Sequence, residues 1–233
     1  MFETIENKQI SQIIIEQIQD MIISGQLKFG DKLPPERELT QMFGVGRPAL
    51  REALKALEVI GLIQRKHGQG NFISNNIENS FYKPLCLSFK LNNGSIEEIL
   101  ALRELIETFT VKEAAEKSSK EELKILYTLY ENMIEEKEDN KKATHDKQLH
   151  YEIAKISDNK LIFYVLESIS YLMDTFIDKT VYISLYKEKS INEIYDEHLK
   201  IIKAIEKHDI VAAEKAIKNH LKKINIALLK EIE

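Results

Sequence analysis

Six histidines occur among the 233 residues, and three of them can be brought together with one carboxylate. In THDKQLHYEIA, Asp146 and His150 are four apart, so a helix puts both on one face. His198 and His220 follow, 22 positions from each other, and the chain between them breaks near Lys207–Asp209, where Asp209 suits a helix N-cap. His198 precedes that break by about ten residues and His220 follows it by about eleven. At about 1.5 Å per residue, two antiparallel helices carry both imidazoles to nearly one height. Three imidazoles and a carboxylate facing one interior form a donor set for a divalent metal ion. His145 and His208 fall on other faces and read as solvated.

A second set lies in GVGRPALREALKALEVIGLIQRKHGQGNFI, residues 44–73. Arg47, Arg51 and Lys55 recur every four residues, away from a face of Leu50, Ala53, Leu54, Leu57 and Ile60. Packing the apolar face turns the basic one outward, as on a recognition helix that enters a DNA major groove. An arginine placed there can bond guanine O6 and N7 together, for about 1–3 kcal/mol of base discrimination. Arg37, one helix earlier, can meet a flanking phosphate or base. The HGQG turn sets His67 and Gly68 at the tip of a wing behind Arg65 and Lys66, where bare backbone and cations suit a narrow groove.

These side chains need elements to hold them. Apolar residues at Ile10, Ile14, Ile18, Met21 and Ile22 have helical spacing, and Gly25 suits the position after the helix end. A short helix follows, with Pro35 at its first position, Glu36 and Glu38 in its first turn and Gly44 ending it. A third helix starts at Pro48 and runs to about Ile60, and two short strands flank the HGQG turn. That order defines a winged helix-turn-helix over residues 1–75. Residues 76–95 read as a polar connector with at most a short helix. Beyond Ser95 the pattern is helical throughout, in segments near 96–117, 119–138, 142–156, 159–186, 190–207 and 209–231. The fold expected is mainly α: a winged head and, over residues 96–233, an all-α antiparallel bundle.

Bulk properties agree and exclude other classes. Charged residues make up 30% and hydrophobic ones 43%, with eight Gly, four Pro and no Trp, a poor composition for a β-rich chain. The net charge of −5 argues against a sequence-indifferent nucleic-acid coat. Residues 1–75 carry nine cations and nine acids, so the whole acidic excess falls in the body. No apolar run of about 18 residues exists to span a membrane, and the N-terminus lacks the basic-then-apolar pattern of a secretory signal. The single cysteine, Cys86 in PLCLSF, reads as a buried small hydrophobe and fits the reducing cytoplasm.

LPPERELTQMFGVGRPALREALKALEVIGLIQRKHGQGNFI resembles the N-terminal signature of GntR-type transcription regulators, a likeness that covers about residues 9–74. The resemblance implies that Arg37, Arg47 and Arg51 contact DNA, with His67 and Gly68 at the wing tip. Residues 96–225 resemble the all-helical FCD ligand-binding module of the FadR subfamily, through Arg103 and Glu107 in LALRELIE, Asp146 and His150, Asn159 in SDNKLIFYV, and EHLKIIKAIEKHDIVAAEKAIKNHL. This second likeness implies the metal-dependent branch, with Asp146, His150, His198 and His220 as ligands of a divalent ion, zinc first, with nickel or another transition metal as alternatives. It also implies an effector pocket marked by Arg103 and Asn159, in which a small carboxylate bridges the metal and the Arg103 guanidinium.

The expected function is that of a non-enzymatic regulator, a repressor by preference. It would bind a palindromic double-stranded operator as a homodimer and answer to a small organic acid. Two variants keep the DNA-binding head: a regulator whose signal is the metal itself, and one whose metal is purely structural. A different class is a metallophosphohydrolase built on the His145-Asp146 pair. That chemistry needs a further histidine upstream in the helical domain, and none lies between His67 and His145.

Overall fold

The computed structural model describes residues 9–76, 78–177 and 191–232, and the chain divides after Leu87 into two compact units. The N-terminal unit contains α1 (Ile10–Ile23), α2 (Glu36–Phe43), α3 (Arg47–Val59), β1 (Ile63–Lys66) and β2 (Gly70–Ile73). Its core joins Ile14 and Ile18 of α1, Leu39 of α2, the buried face Leu50, Ala53, Leu54 and Leu57 of α3, and Ile63 and Ile73 of the hairpin. Helix boundaries follow local chemistry. Gly25 (φ 76) follows α1, and Gly44 (φ 66) ends α2 in the left-handed conformation that glycine adopts without a Cβ penalty. Pro35 is the cap of α2 rather than its first residue, and α3 begins at Arg47, one residue before Pro48.

β1 and β2 pair antiparallel, with Ile63 opposite Ile73 and Lys66 opposite Gly70. The sequence pattern shows only these two strands, but Lys32 adds a bridge to Phe72, and Leu33 N–H donates to the Asn71 carbonyl. The segment before α2 therefore braces the base of the wing. Gly61, between α3 and β1, has φ 78, and a Cβ there would lie 2.7 Å from the Asn76 carbonyl oxygen, so only glycine fits that turn.

The stretch expected as connector is largely helical: a π-helical turn at Glu78–Tyr82 leads into α4 (Lys83–Leu91), where Cys86 is buried as a free thiol. The C-terminal unit continues with α5 (Ile96–Lys117), α6 (Lys120–Glu135), α7 (Asp139–Ile156), α8 (Lys160–Phe176), α9 (Ile191–Glu206) and α10 (Ile210–Ile232). Residues 178–186 of the expected 159–186 helix, and the break after them, lie outside the described residues. Ser95 with Glu98, and Ser119 with Glu122, form capping boxes that start α5 and α6. α7 begins within EDNKKAT, a stretch read as a break, with no side-chain bond at its Glu138 cap; just ahead of it the Glu136 carboxylate accepts the Lys137 and Glu138 N–H groups.

α5 runs against α7, α8, α9 and α10, and α6 against α7 and α9. Their shared core includes Val111, Ala114, Leu126, Leu149, Ile153, Ile201, Ile205, Ile217 and Leu221. Packing of this kind fixes helix rotation, and rotation decides which polar residues face inward. Those that do include Arg103, Glu107, Asp146, His150, Glu197, His198 and His220. No helix among the described residues is long and apolar enough to cross a membrane.

Candidate metal centre and nucleic-acid interface

Four helices supply the buried polar cluster: α5 gives Arg103 and Glu107, α7 Asp146 and His150, α9 Glu197 and His198, and α10 His220. Ligand atoms of Asp146, His150, His198 and His220 all lie within 4.8 Å of one another. His198 Nε2 is 2.8 Å from Asp146 Oδ1 and 3.3 Å from His150 Nε2, and His150 Nε2 is 3.8 Å from the same Asp146 oxygen. Donors about 2.0–2.2 Å from one ion stand roughly 2.9–3.5 Å apart at neighbouring positions. The spacings among Asp146, His150 and His198 bracket that range, and His220 lies within reach of the same centre, so the four residues fit a common ion after modest side-chain shifts.

The remaining ring nitrogens sharpen the fit. His198 Nδ1 donates to the Ile194 carbonyl at 2.8 Å, His220 Nδ1 to Glu197 Oε2 at 3.2 Å, and His150 Nδ1 faces Glu107 Oε2. Each partner is an acceptor, which keeps a proton on Nδ1, so release of any Nε2 proton on metal binding would turn every Nε2 lone pair to the shared centre. Glu197 also meets Lys223, and Glu107 accepts from Arg103 Nε at 2.5 Å. Electrostatics keep the set ready for a cation. Burial alone would raise the Glu107 carboxyl, but Arg103 and His150 outweigh it and hold the group at about 2. Burial likewise opposes ionisation of Asp146, yet the surrounding histidines hold it well below the usual carboxylate range. Burial, with His198 beside it, pushes His220 down to about 4, so its ring is neutral near pH 7.

A cavity of about 30 Å³ reaches this cluster at His150 and Glu107. Arg103, Lys147, Tyr151, Leu166, Ser170, Met173 and Asp174 complete its lining. Asn159 stands apart from it: its side-chain oxygen accepts from Ile162 N–H at 3.1 Å and caps α8. Helix capping accounts for that asparagine, and the effector role expected of it has no counterpart in the cavity wall. His145, one position from Asp146, is outside the ligand group, and its half-buried Nδ1 has no hydrogen-bond partner among the described residues. His208 is exposed, as expected, with Nδ1 donating to the Ala115 carbonyl at 2.8 Å. Sequence reasoning missed Glu197 and the Lys147–Asp174 pair (2.7 Å) at the cavity mouth. Glu197 directly precedes His198, a signal too common to single it out.

In the N-terminal unit, Arg37, Arg47, Arg51 and Lys55 are all exposed. Arg51 Nε bonds Glu36 Oε2 at 2.9 Å, and Arg65 lies 3.9 Å from the same carboxylate. His67 and Gly68 (φ 70) occupy the exposed tip between β1 and β2. One unit therefore presents an outward basic helix beside a two-stranded wing, and the other a buried histidine–aspartate cluster under a small cavity.

Such a pairing defines a winged helix-turn-helix regulator with a helical sensing body. Residues 10–73 match the family model for bacterial regulatory proteins of the gntR family, and residues 98–223 match the FCD domain. The chain belongs to the GntR family and carries an FCD ligand-binding domain; it is a DNA-binding transcription regulator, not an enzyme. The HTH-type transcriptional regulator YcbG of Bacillus subtilis (strain 168) is 32% identical over 231 residues, covering 99% of this chain and 95% of its own. LutR of the same organism, also described as an HTH-type transcriptional regulator, is 30% identical over 89% of this chain and 96% of its own. The solved structure of a Streptococcus agalactiae GntR protein shares the fold, with a TM-score of 0.69 at 24% identity over 92% of this chain and 98% of that one.

Proposed function

We propose that this regulator binds a palindromic operator as a cytoplasmic homodimer and releases it when a small carboxylate occupies the metal-bearing body. In this reading residues 1–75 are the DNA head, 76–95 the connector and 96–233 the sensing and dimerising body. Arg37, Arg47 and Arg51 read or clamp the operator, and His67 with Gly68 forms the wing contact. Asp146, His150, His198 and His220 hold a divalent ion, zinc first. Bound there, the ion supplies a Lewis-acidic anchor for a carboxylate, and Arg103 offers a planar cation from the cavity side.

One observation carries the reading: three Nε2 atoms and the Asp146 carboxylate converge beneath a cavity that Arg103 also lines. The cavity favours an organic effector over a purely structural ion because it opens the cluster at His150 and Glu107 beside Arg103, and a closed structural site needs no such opening. Similar proteins include one described as a Glc operon transcriptional activator and one described as the transcriptional repressor NanR, both from Escherichia coli strains. Similarity therefore does not fix the sign of regulation. Repression is proposed because it requires only that the effector weaken operator binding.

The test is a thermal-shift screen of small carboxylates on metal-loaded protein, repeated after chelation. A ligand that binds only the folded state at 100 times its Kd stabilises by about 2.7 kcal/mol. We expect one acid class to raise the melting temperature with metal present and to lose that effect without it. A large shift from metal alone, with none from any acid, would replace this reading by a structural or metal-sensing site.

A further inference from the structure

The cavity's charge balance says what kind of acid it accepts, an inference that rests on the functional reading above. Its charged groups come in matched pairs. Arg103 is met by Glu107 on α5, and Lys147 of α7 by Asp174 of α8 at 2.7 Å. Below them Asp146 faces the three histidines, which are neutral when they coordinate. With a divalent ion seated, Asp146 offsets one of its two positive charges, and a single positive charge is left uncompensated. Glu197 and Lys223, behind His220, cancel one another and leave that balance unchanged.

We infer that the effector is a small monocarboxylate, and that Asp174, paired with Lys147 at the cavity mouth, discriminates against acids with a second carboxylate. One carboxylate completes the charge balance. A second would sit as surplus negative charge in a cavity that Leu166 and Met173 partly wall with apolar atoms, where an uncompensated charge is costly. Lys147 cannot receive it freely, because Asp174 already occupies the ammonium. Ser170 offers a hydroxyl in the same wall, so a neutral polar tail such as a hydroxyl group is accommodated. At about 30 Å³ the cavity is far smaller than an ordinary ligand site, so an acid enters only as the mouth residues give way, which favours small ones.

The experiment is isothermal titration of metal-loaded, full-length protein with matched acid pairs of three to six carbons. Members of each pair differ only in a terminal methyl or carboxylate, as 2-hydroxybutyrate differs from malate. We expect at least one monoacid to bind tenfold or more tightly than its diacid partner. Asp174→Asn should narrow that ratio at least threefold, leaving metal affinity unchanged by chelator competition. Its side chain is 67% exposed, so the variant should fold. Lys147→Met should widen the ratio. Diacids binding as well as or better than their monoacid partners, or a ratio unmoved in Asp174→Asn, would overturn the inference while leaving the carboxylate pocket standing. Binding by no member of any pair would overturn the pocket as well.

Discussion

At the scale of single residues, the least obvious contributor is Glu197. It touches no ion in the proposed arrangement, yet it accepts the His220 Nδ1 proton and is itself held by Lys223. Burial would raise its carboxyl, but the bonds from His220 and Lys223 outweigh that and hold it low, so it stays ionised. A carboxylate behind a ligand histidine fixes the ring's tautomer and makes it a better donor, and losing such a partner typically costs about 10–100-fold in metal affinity. Glu197→Ala should therefore weaken zinc binding by that factor, with Glu197→Gln in between because its amide oxygen still accepts. Competition against a chromophoric chelator measures both. Unchanged affinity in a folded Glu197→Ala protein would make Glu197 only a partner for Lys223.

At the scale of elements, α3 separates stability from recognition. Leu50, Ala53, Leu54 and Leu57 anchor it, whereas Arg47, Arg51 and Lys55 face solvent. The Arg51–Glu36 pair is mostly exposed on the arginine side, and such pairs contribute about 0–1 kcal/mol. Arg51→Ala should thus leave the melting temperature nearly unchanged and weaken operator binding by at least about 1 kcal/mol, read by titration of a labelled duplex. Equal operator affinity would remove Arg51 from the recognition set. Helix faces of this kind are legible in sequence because periodicity reports them directly, and the four-residue step from Asp146 to His150 was readable for the same reason. The meeting of His198 and His220 could be read because a short break made their heights comparable. Lys147 and Asp174 could not be paired in advance: 27 positions and a loop separate them, and only the rotation of α7 against α8 joins them. Asn159 misled because a helix cap and a ligand contact draw on the same residue type. The start of α7 was obscured by a polar run with no side-chain cap to mark the boundary.

At the scale of the whole molecule, the proposed function reduces to one coupling free energy between the operator-binding head and the carboxylate-binding body. If a saturating acid weakens operator binding tenfold, the coupling is about 1.4 kcal/mol, and linkage requires that operator DNA weaken acid binding by the same factor. Titrating acid into metal-loaded protein, free and then saturated with operator, should give dissociation constants that differ by the factor seen in the DNA titration. An effect in one direction alone would mean that the acid acts by extracting the metal instead of by binding beside it. Chelated protein supplies the contrast, because without the ion the acid loses its anchor and both factors should fall to one. A tenfold effect that survived chelation would place the acid's regulatory site outside the histidine cluster.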